Sequence, residues 1–316
     1  MRIASFDLDD FDDAADGRNR SIKPNHKLKR SRREILAGIV EWGQDVPPGQ
    51  RLALSPALNA TSEEQGWILE HLTPFYGGKL ITSVLRKVKG GKEANVYCCA
   101  AHPSTGLDLI AAKLYRPRLL RNLKNDSQYR LGRPMLNAAG EAISQSDWRM
   151  HKAIQQKSRV GLEAQQTSWL EYEYQTLKKL HKAGADVPAP LRHGDHALLM
   201  EYVGDEVIPA PILNQVALEP GEARPLFERL MRNVELMLQC GFVHGDMSAY
   251  NVLYWQGEIK IIDFPQVMDP RGNPNARVVF RRDVLRLCQY FAKYGVISEP
   301  LKLAEEMWMR HKLRDE

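Results

Sequence analysis

The stretch Val243–Gln266 reads VHGDMSAYNVLYWQGEIKIIDFPQ, and three of its polar side chains resist explanation by packing. Asp246 is followed five positions on by Asn251, and Asp263 closes the apolar run IKIID. NVLYW and IKIID read as two short strands joined by QGE, so the acids fall at strand mouths. An acidic side chain there must meet a cation, a donor or water. Asp246 alone reads as a helix cap, and Asp263 alone as the end of a strand. Together they form HGDxxxxN with an aspartate twelve residues after the asparagine, a spacing that packing does not require.

The rest of the chain sets the frame. Its 316 residues allow two lobes, and 43% hydrophobic with 26% charged residues is ordinary for a soluble globular protein. No apolar run approaches the roughly 18 residues of a membrane span. The start, MRIASFDLDD, lacks a basic-then-apolar leader, so a cytoplasmic location is expected. Cys98, Cys99, Cys240 and Cys288 show no CxxC spacing, which points to neither a zinc site nor a disulfide framework.

The net charge of +5 is unevenly spread. Residues 7–16 hold six aspartates, whereas 18–33 hold eight Lys or Arg and no acid. Residues 1–33 read as a disordered acidic and basic tail; the competing reading is an arm that binds a phosphate polymer. A second basic region, 114–160, sets ten Lys or Arg against Asp126, Glu141 and Asp147. RNA is the polyanion these two patches would suit.

Residues 34–79 read as a small helical extension. Ile35, Leu36, Ile39 and Val40 share one face. A second helix opens with Ser62 and Gln65 in capping-box spacing and turns Trp67, Ile68, His71 and Leu72 inward. LITSVLRKV, ANVYCCAA and LDLIAAKLY read as three neighbouring strands. A basic insertion follows, then a helix from about 164 to 183, extended chain at VPAPL and a buried strand in HALLMEYV. Beyond it come a helix with Leu226, Leu230, Val234, Met237 and Leu238 inward, the hairpin above, and two closing helices. The expected fold is α+β: an N-lobe over 80–204, with an antiparallel sheet, one helix and the basic insertion, and a mostly helical C-lobe over 205–316.

Phosphoryl transfer asks a protein for a cradle, a cation on the phosphates and a carboxylate that orients or deprotonates the acceptor. VKGGKEANVY supplies a phosphate-loop candidate with Gly91, Lys92 and Val96. Lys113, ending IAAK, sits where a strand lysine meets phosphate oxygens. Glu173 shares the inward helix face of Trp169 and Leu177 and is placed to hold Lys113. Asp246 falls at the position of a catalytic base. Asn251 and Asp263 offer oxygen ligands to magnesium shared with ATP. Each signal is weak alone; their order and spacing carry the argument.

At GGKEANVY, AAKLYRPR, LLMEYVGDEVIPAPIL, FVHGDMSAYNVLY, IKIIDFPQV and NARVVFRRDV the chain resembles the RIO kinases, atypical relatives of serine/threonine protein kinases. The resemblance covers roughly residues 80–295. It implies a trimmed two-lobed kinase fold using ATP and Mg2+, with kinase or ATPase activity, of the bacterial or archaeal RIO-like type. By this resemblance Glu201 and Val203 offer backbone groups to adenine, and Met200 guards the pocket. Lys113 and Glu173 serve the phosphates, Asp246 is catalytic, and Asn251 and Asp263 hold metal. Asp263 matches an aspartate that in parts of the family also accepts phosphate.

Several features depart from ordinary protein kinases. In GxGxxGxV spacing the glycine positions fall on Lys89, Gly91 and Ala94. Ser248 replaces a lysine near the transferring phosphate, so charge must come from elsewhere. Gly245 replaces the arginine that reads a phosphorylated activation loop, and Pro265 stands where DFG has glycine. Only 53 residues follow Asp263, without an APE motif, so the peptide-docking part of the large lobe is expected to be missing. Two alternatives remain: a small-molecule phosphotransferase of the aminoglycoside or choline kinase type, which needs an acidic acceptor pocket, and an ATP-responsive RNA-binding scaffold, which would have degraded catalytic residues.

Overall fold

The computed structural model describes residues 52–56, 58–91, 93–116, 133–144, 146–156 and 158–311. The expected tail at 1–33, the helix around 35–40, the heart of the basic insertion and Lys92 lie outside the described residues.

A six-stranded sheet dominates the first half, in the spatial order β1-β2-β3-β4-β6-β5. The strands are β1 (Ala53–Leu54), β2 (Ile81–Gly90), β3 (Ala94–Ala101), β4 (Leu109–Tyr115), β5 (Pro190–His193) and β6 (Ala197–Glu201). All neighbours are antiparallel except β1, which runs parallel to β2.

Because side chains alternate along a strand, the sheet serves two cores. Ile110, Ala112 and Leu114 of β4, with Ala197 and Leu199 of β6, pack with Ile68, Leu72 and Phe75 of helix α1 (Ser62–Gly77). Ala111 and Tyr115, with Leu198 and Met200, join the second core, which continues into the helices of the other lobe. Lys113 shares the alternation of Ala111 and Tyr115, so the strand period sends its side chain to this second face.

The described part of the N-terminal extension, from residue 52, therefore packs against the sheet. Helix α1 is capped by Thr61, whose hydroxyl accepts from the Glu64 backbone N–H at 3.2 Å, one residue before the expected cap. The capping-box candidate Gln65 instead donates to the Ala60 carbonyl at 3.0 Å. The Glu64 carboxylate is committed to the sheet, accepting from Lys87 (2.7 Å), Asn95 (2.9 Å) and Tyr97. His71 lies between the rings of Trp67 and His196, at centroid distances of 3.9 and 4.4 Å. Burial and the neighbouring His196 pull its pKa down to about 3, so it is a neutral core-edge residue.

Two helices follow β4 in the chain. The short α2 (Trp148–Gln155), capped by Asp147, has no counterpart in the sequence reading. The long α3 (Arg159–Lys182) starts earlier than expected because the Ser158 hydroxyl accepts from the Gly161 N–H at 3.2 Å. The second lobe holds α4 (Ala223–Gln239), the hairpin of β7 (Val252–Trp255) and β8 (Glu258–Ile261), α5 (Ala276–Ala292) and α6 (Pro300–Arg310). In α4 the residues expected to face inward are buried, and Gly241 follows with φ +78°. All four cysteines are free, and among the described residues no helix is long and apolar enough to cross a membrane.

Candidate active site

Sheet register puts Lys113 opposite Val96 on β3 and Leu198 on β6. Its ammonium reaches Glu173 Oε1 at 2.6 Å and Asp263 Oδ1 at 2.9 Å. Three distant segments, β4, α3 and the loop after β8, thus meet at one charge. The Glu173 side chain is buried, and its second oxygen accepts from the Tyr115 hydroxyl. Tyr115 is held in turn by its own backbone carbonyl, which accepts from Trp67 Nε1 at 3.1 Å. An unbroken chain of contacts therefore runs from α1 to the lysine.

Burial alone would discharge Lys113, but Asp263 and Glu173 outweigh it and hold the ammonium well above its ordinary pKa. Loss of water raises Asp263, yet Lys113, His244 and Lys89 more than offset this, and its carboxyl stays below its usual range. Lys89 occupies the first glycine position of the phosphate-loop spacing, so a cation stands where flexibility is missing. Asp263 itself adopts φ +72°, a left-handed conformation uncommon outside glycine and frequent at functional sites.

Asp246 and Asn251 meet in the loop before β7. The Asn251 amide donates to the Asp246 carbonyl at 2.8 Å and to its Oδ2 at 3.1 Å. Ile262 N–H donates to the Asn251 carbonyl at 2.9 Å, which brings this loop beside Asp263. His244 is buried and neutral, its pKa lowered by burial. Its Nδ1 accepts from Asp246 N–H at 3.3 Å, leaving Nε2 to donate to the Ile262 carbonyl at 3.2 Å. The loop is thus tied to the segment after β8 that leads into Asp263.

The remaining expected residues flank this centre. Gly91 lies in the β2–β3 turn, where a Cβ would come within 2.7 Å of the Ala94 carbonyl oxygen. Met200 is buried on β6. Glu201 N–H donates to Ala189 at 2.8 Å, and the Val203 carbonyl accepts from Ala210 at 3.0 Å. The Glu201 carboxylate accepts from Lys260 Nζ at 2.9 Å, which ties the connection between the lobes to β8.

The donor set suits a magnesium ion shared with phosphate. Lys113 engages Oδ1 of Asp263, and the Asn251 amide nitrogen is committed to Asp246, so one carboxylate oxygen and one amide oxygen remain as hard ligands. Among the described residues no group of three or more His, Cys, Asp or Glu could hold a metal. Substrate phosphates and water would have to complete the shell.

Sequence reasoning missed several supporting residues. Arg286 on α5 donates to Asp246 Oδ1 at 2.9 Å and puts a guanidinium beside the loop that carries Ser248. Asp283, also on α5, accepts from Gly245 N–H at 2.8 Å, while Arg282 donates to the Gly245 carbonyl at 2.5 Å. Arg133 lies over the Tyr172 ring at 3.7 Å and reaches the Pro265 and Val267 carbonyls at 3.3 Å each. The only signal in the sequence was the arginine-rich FRRDVLR, which fixes no partner.

A family model described as the RIO domain matches residues 140–303, just over half of the chain. The serine/threonine-protein kinase RIO1 of Chaetomium thermophilum is 31% identical over 254 residues, 75% of this chain and 45% of that protein. The protein of the same name in Caenorhabditis elegans is 29% identical over 239 residues, 70% of this chain and 41% of the relative. The RIO-type serine/threonine-protein kinase Rio1 of Thermoplasma acidophilum is 29% identical over 137 residues, 43% of this chain and 70% of its own length. The chain spans less than half the length of the eukaryotic relatives cited here. With this match joined to the two-lobed α+β fold, the chain belongs to the RIO domain family.

Proposed function

We propose that the chain transfers the γ-phosphoryl group of ATP in a Mg2+-dependent reaction, as a serine/threonine kinase or a self-phosphorylating ATPase switch. The observation that carries this reading is the convergence of Lys113, Glu173 and Asp263, with Asn251 hydrogen-bonded beside them. Lys113, kept charged by two carboxylates, would bind phosphate oxygens. Glu201 and Val203 would present backbone groups to adenine beneath Met200, with Gly91, Lys92 and Val96 covering the phosphates. Asn251 and Asp263 would hold magnesium, which when bound neutralises phosphate charge.

Asp246 would take the proton of an acceptor hydroxyl as that oxygen bonds to the γ-phosphorus. The bond from phosphorus to the β-phosphate oxygen breaks, and ADP leaves. Asp263 is itself a second acceptor in this proposal, because its carboxylate needs no deprotonation. The domain plan that goes with it is a lobe over 80–204 and a lobe over 205–316, with 34–79 as an extension bearing on the first. An aminoglycoside-type acceptor is disfavoured: the cleft beside Asp246 is lined by Arg286 and Lys293, and among the described residues by no carboxylate but Asp246 itself.

Incubation with labelled Mg-ATP tests the reading: a label on the protein or release of phosphate is expected. Hydroxylamine separates the acceptors, since it removes an acyl-phosphate at Asp263 and leaves phosphoserine. Asp263→Ala should lose the magnesium dependence of nucleotide binding in calorimetry; unchanged dependence would remove it from the site. The basic segments 18–33 and 114–160 are proposed to meet RNA or a ribosomal particle. Affinity should then fall with salt at a log–log slope of roughly 0.7 to 0.9 per phosphate contact.

A further inference from the structure

We propose that the cleft on the outer side of the 246–251 loop is an acceptor subsite built for an acidic protein segment. This rests on the phosphotransferase reading above. The cleft has a volume of about 560 Å3, enough for several side chains, and lies between that loop, Asn214 and α5. Arg286, Gln289, Tyr290 and Lys293 follow the i, i+3, i+4, i+7 spacing of one helix side and form its wall. The Tyr290 hydroxyl donates to the Leu213 carbonyl at 2.7 Å and fixes α5 against the 213–215 turn.

Position argues for an acceptor. Asp246 and Asn251 line this cleft, whereas Lys113, Glu173 and Asp263 do not. A hydroxyl entering here meets the proposed base from the side away from the phosphate-binding lysine. It bonds to the γ-phosphorus and gives its proton to Asp246, while the β-phosphate oxygen leaves with ADP.

Charge argues for an acidic segment. Among the described residues Asp246 is the sole carboxylate in the lining, and it is already engaged by Arg286 and Asn251. Lys293 is exposed and has no carboxylate within ion-pairing distance among the described residues. The cleft therefore keeps an unanswered positive charge a short way from the base. A peptide with carboxylates near its serine would answer it, and a basic peptide would be repelled. The chain's own residues 1–16 provide a natural probe, since Ser5 is their only serine or threonine and six aspartates follow it.

The test uses the full chain, Mg-ATP and three synthetic peptides: residues 1–16, the same peptide with its aspartates changed to asparagine, and one with them changed to lysine. Calorimetric binding of Mg-ADP is measured alongside. KM for the acidic peptide should be lower by about threefold or more than for the asparagine peptide, a ratio expected of a solvent-exposed charge contact. Lys293→Glu should erase that preference and improve use of the lysine peptide, a gain that a misfolded variant cannot produce. Equal KM values, indifference to Lys293→Glu, or inert peptides while ATP is hydrolysed would each overturn the subsite. Failure to bind Mg-ADP would overturn the phosphotransferase reading beneath it as well.

Discussion

The two sides of the 246–251 loop treat charge in opposite ways. Around Lys113, the proposed phosphate-binding residue, the ammonium, two carboxylates and the Tyr115 hydroxyl satisfy one another, with Lys113 and Glu173 mostly buried and Asp263 half-exposed at the rim. On the acceptor side, Arg286 is about one-third exposed at 34%, and Lys293 faces solvent without an acidic partner among the described residues. The first arrangement is preorganised for a ligand of fixed shape. The second leaves solvent-screened cations free to adapt to a flexible chain.

The largest expected effect comes from the residue common to both sides. Asp246→Asn should lower phosphoryl transfer by about 10²–10⁴-fold, the range of a lost general base. Mg-ADP affinity, which rests on the other side, should change little. Equal losses in both would mean that the two sides are not separable, and wild-type transfer would remove Asp246 from catalysis.

Glu173→Ala breaks the buried side. It leaves the Tyr115 hydroxyl without its carboxylate and Lys113 with Asp263 alone. A cost of about 3 kcal/mol in urea unfolding is expected, at the lower end of the range for a broken buried pair because one partner survives. Nucleotide affinity should fall with it. Unchanged stability would show that the cluster is held by packing instead of charge.

Asp283 sharpens the comparison through pH. Burial pushes its carboxyl from an ordinary 3.8 up to about 7. With the folded pKa above the unfolded one, its contribution to stability is fully present below about pH 4 and is lost as pH rises through 7. The slope in between is at most about 1.4 kcal/mol per pH unit. Asp283→Asn keeps an acceptor for Gly245 without ionising. The variant should therefore gain on the wild type in urea midpoint between pH 5 and pH 8, and a constant difference would refute this account.

The smallest stability effect belongs to Arg286→Gln. A pair this exposed contributes about 1 kcal/mol or less. The turnover number should nevertheless fall by about tenfold, because a guanidinium no longer orients Asp246. Loss of stability without loss of turnover would make the arginine a strut of α5 and nothing more.

The parts of the site that could be read in the sequence are those whose geometry is local. Asp246, Asn251 and Asp263 belong to one loop and hairpin, where spacing and strand period decide who meets whom. Lys113 follows from the alternation of IAAK, and Glu173 from its helix face. Arg286, Asp283 and Arg133 could not be read this way. Arg286 is 40 residues from Asp246, and Arg133 is 132 residues from Pro265. Only the packing of α5 and α3 brings these groups to their partners. Helix boundaries slipped for a smaller reason: Thr61 and Ser62 are both good caps, and Ser158 begins α3 ahead of its first apolar residues. The eight-residue α2 buries none of its side chains, so it left no apolar stripe to read.

Gly245 has a consequence for what this chain can become. It sits at φ +87°, and a Cβ there would lie 2.3 Å from the Gln266 carbonyl oxygen. Both its N–H and its carbonyl are gripped by α5. An arginine cannot be introduced at this position by a single exchange without rebuilding the backbone of two loops. The arginine switch of ordinary kinases, thrown by phosphorylating an activation loop, is therefore not one mutation away. Evolution or engineering that seeks a new way to govern this protein has to start elsewhere, for instance at the proposed acceptor cleft beside α5.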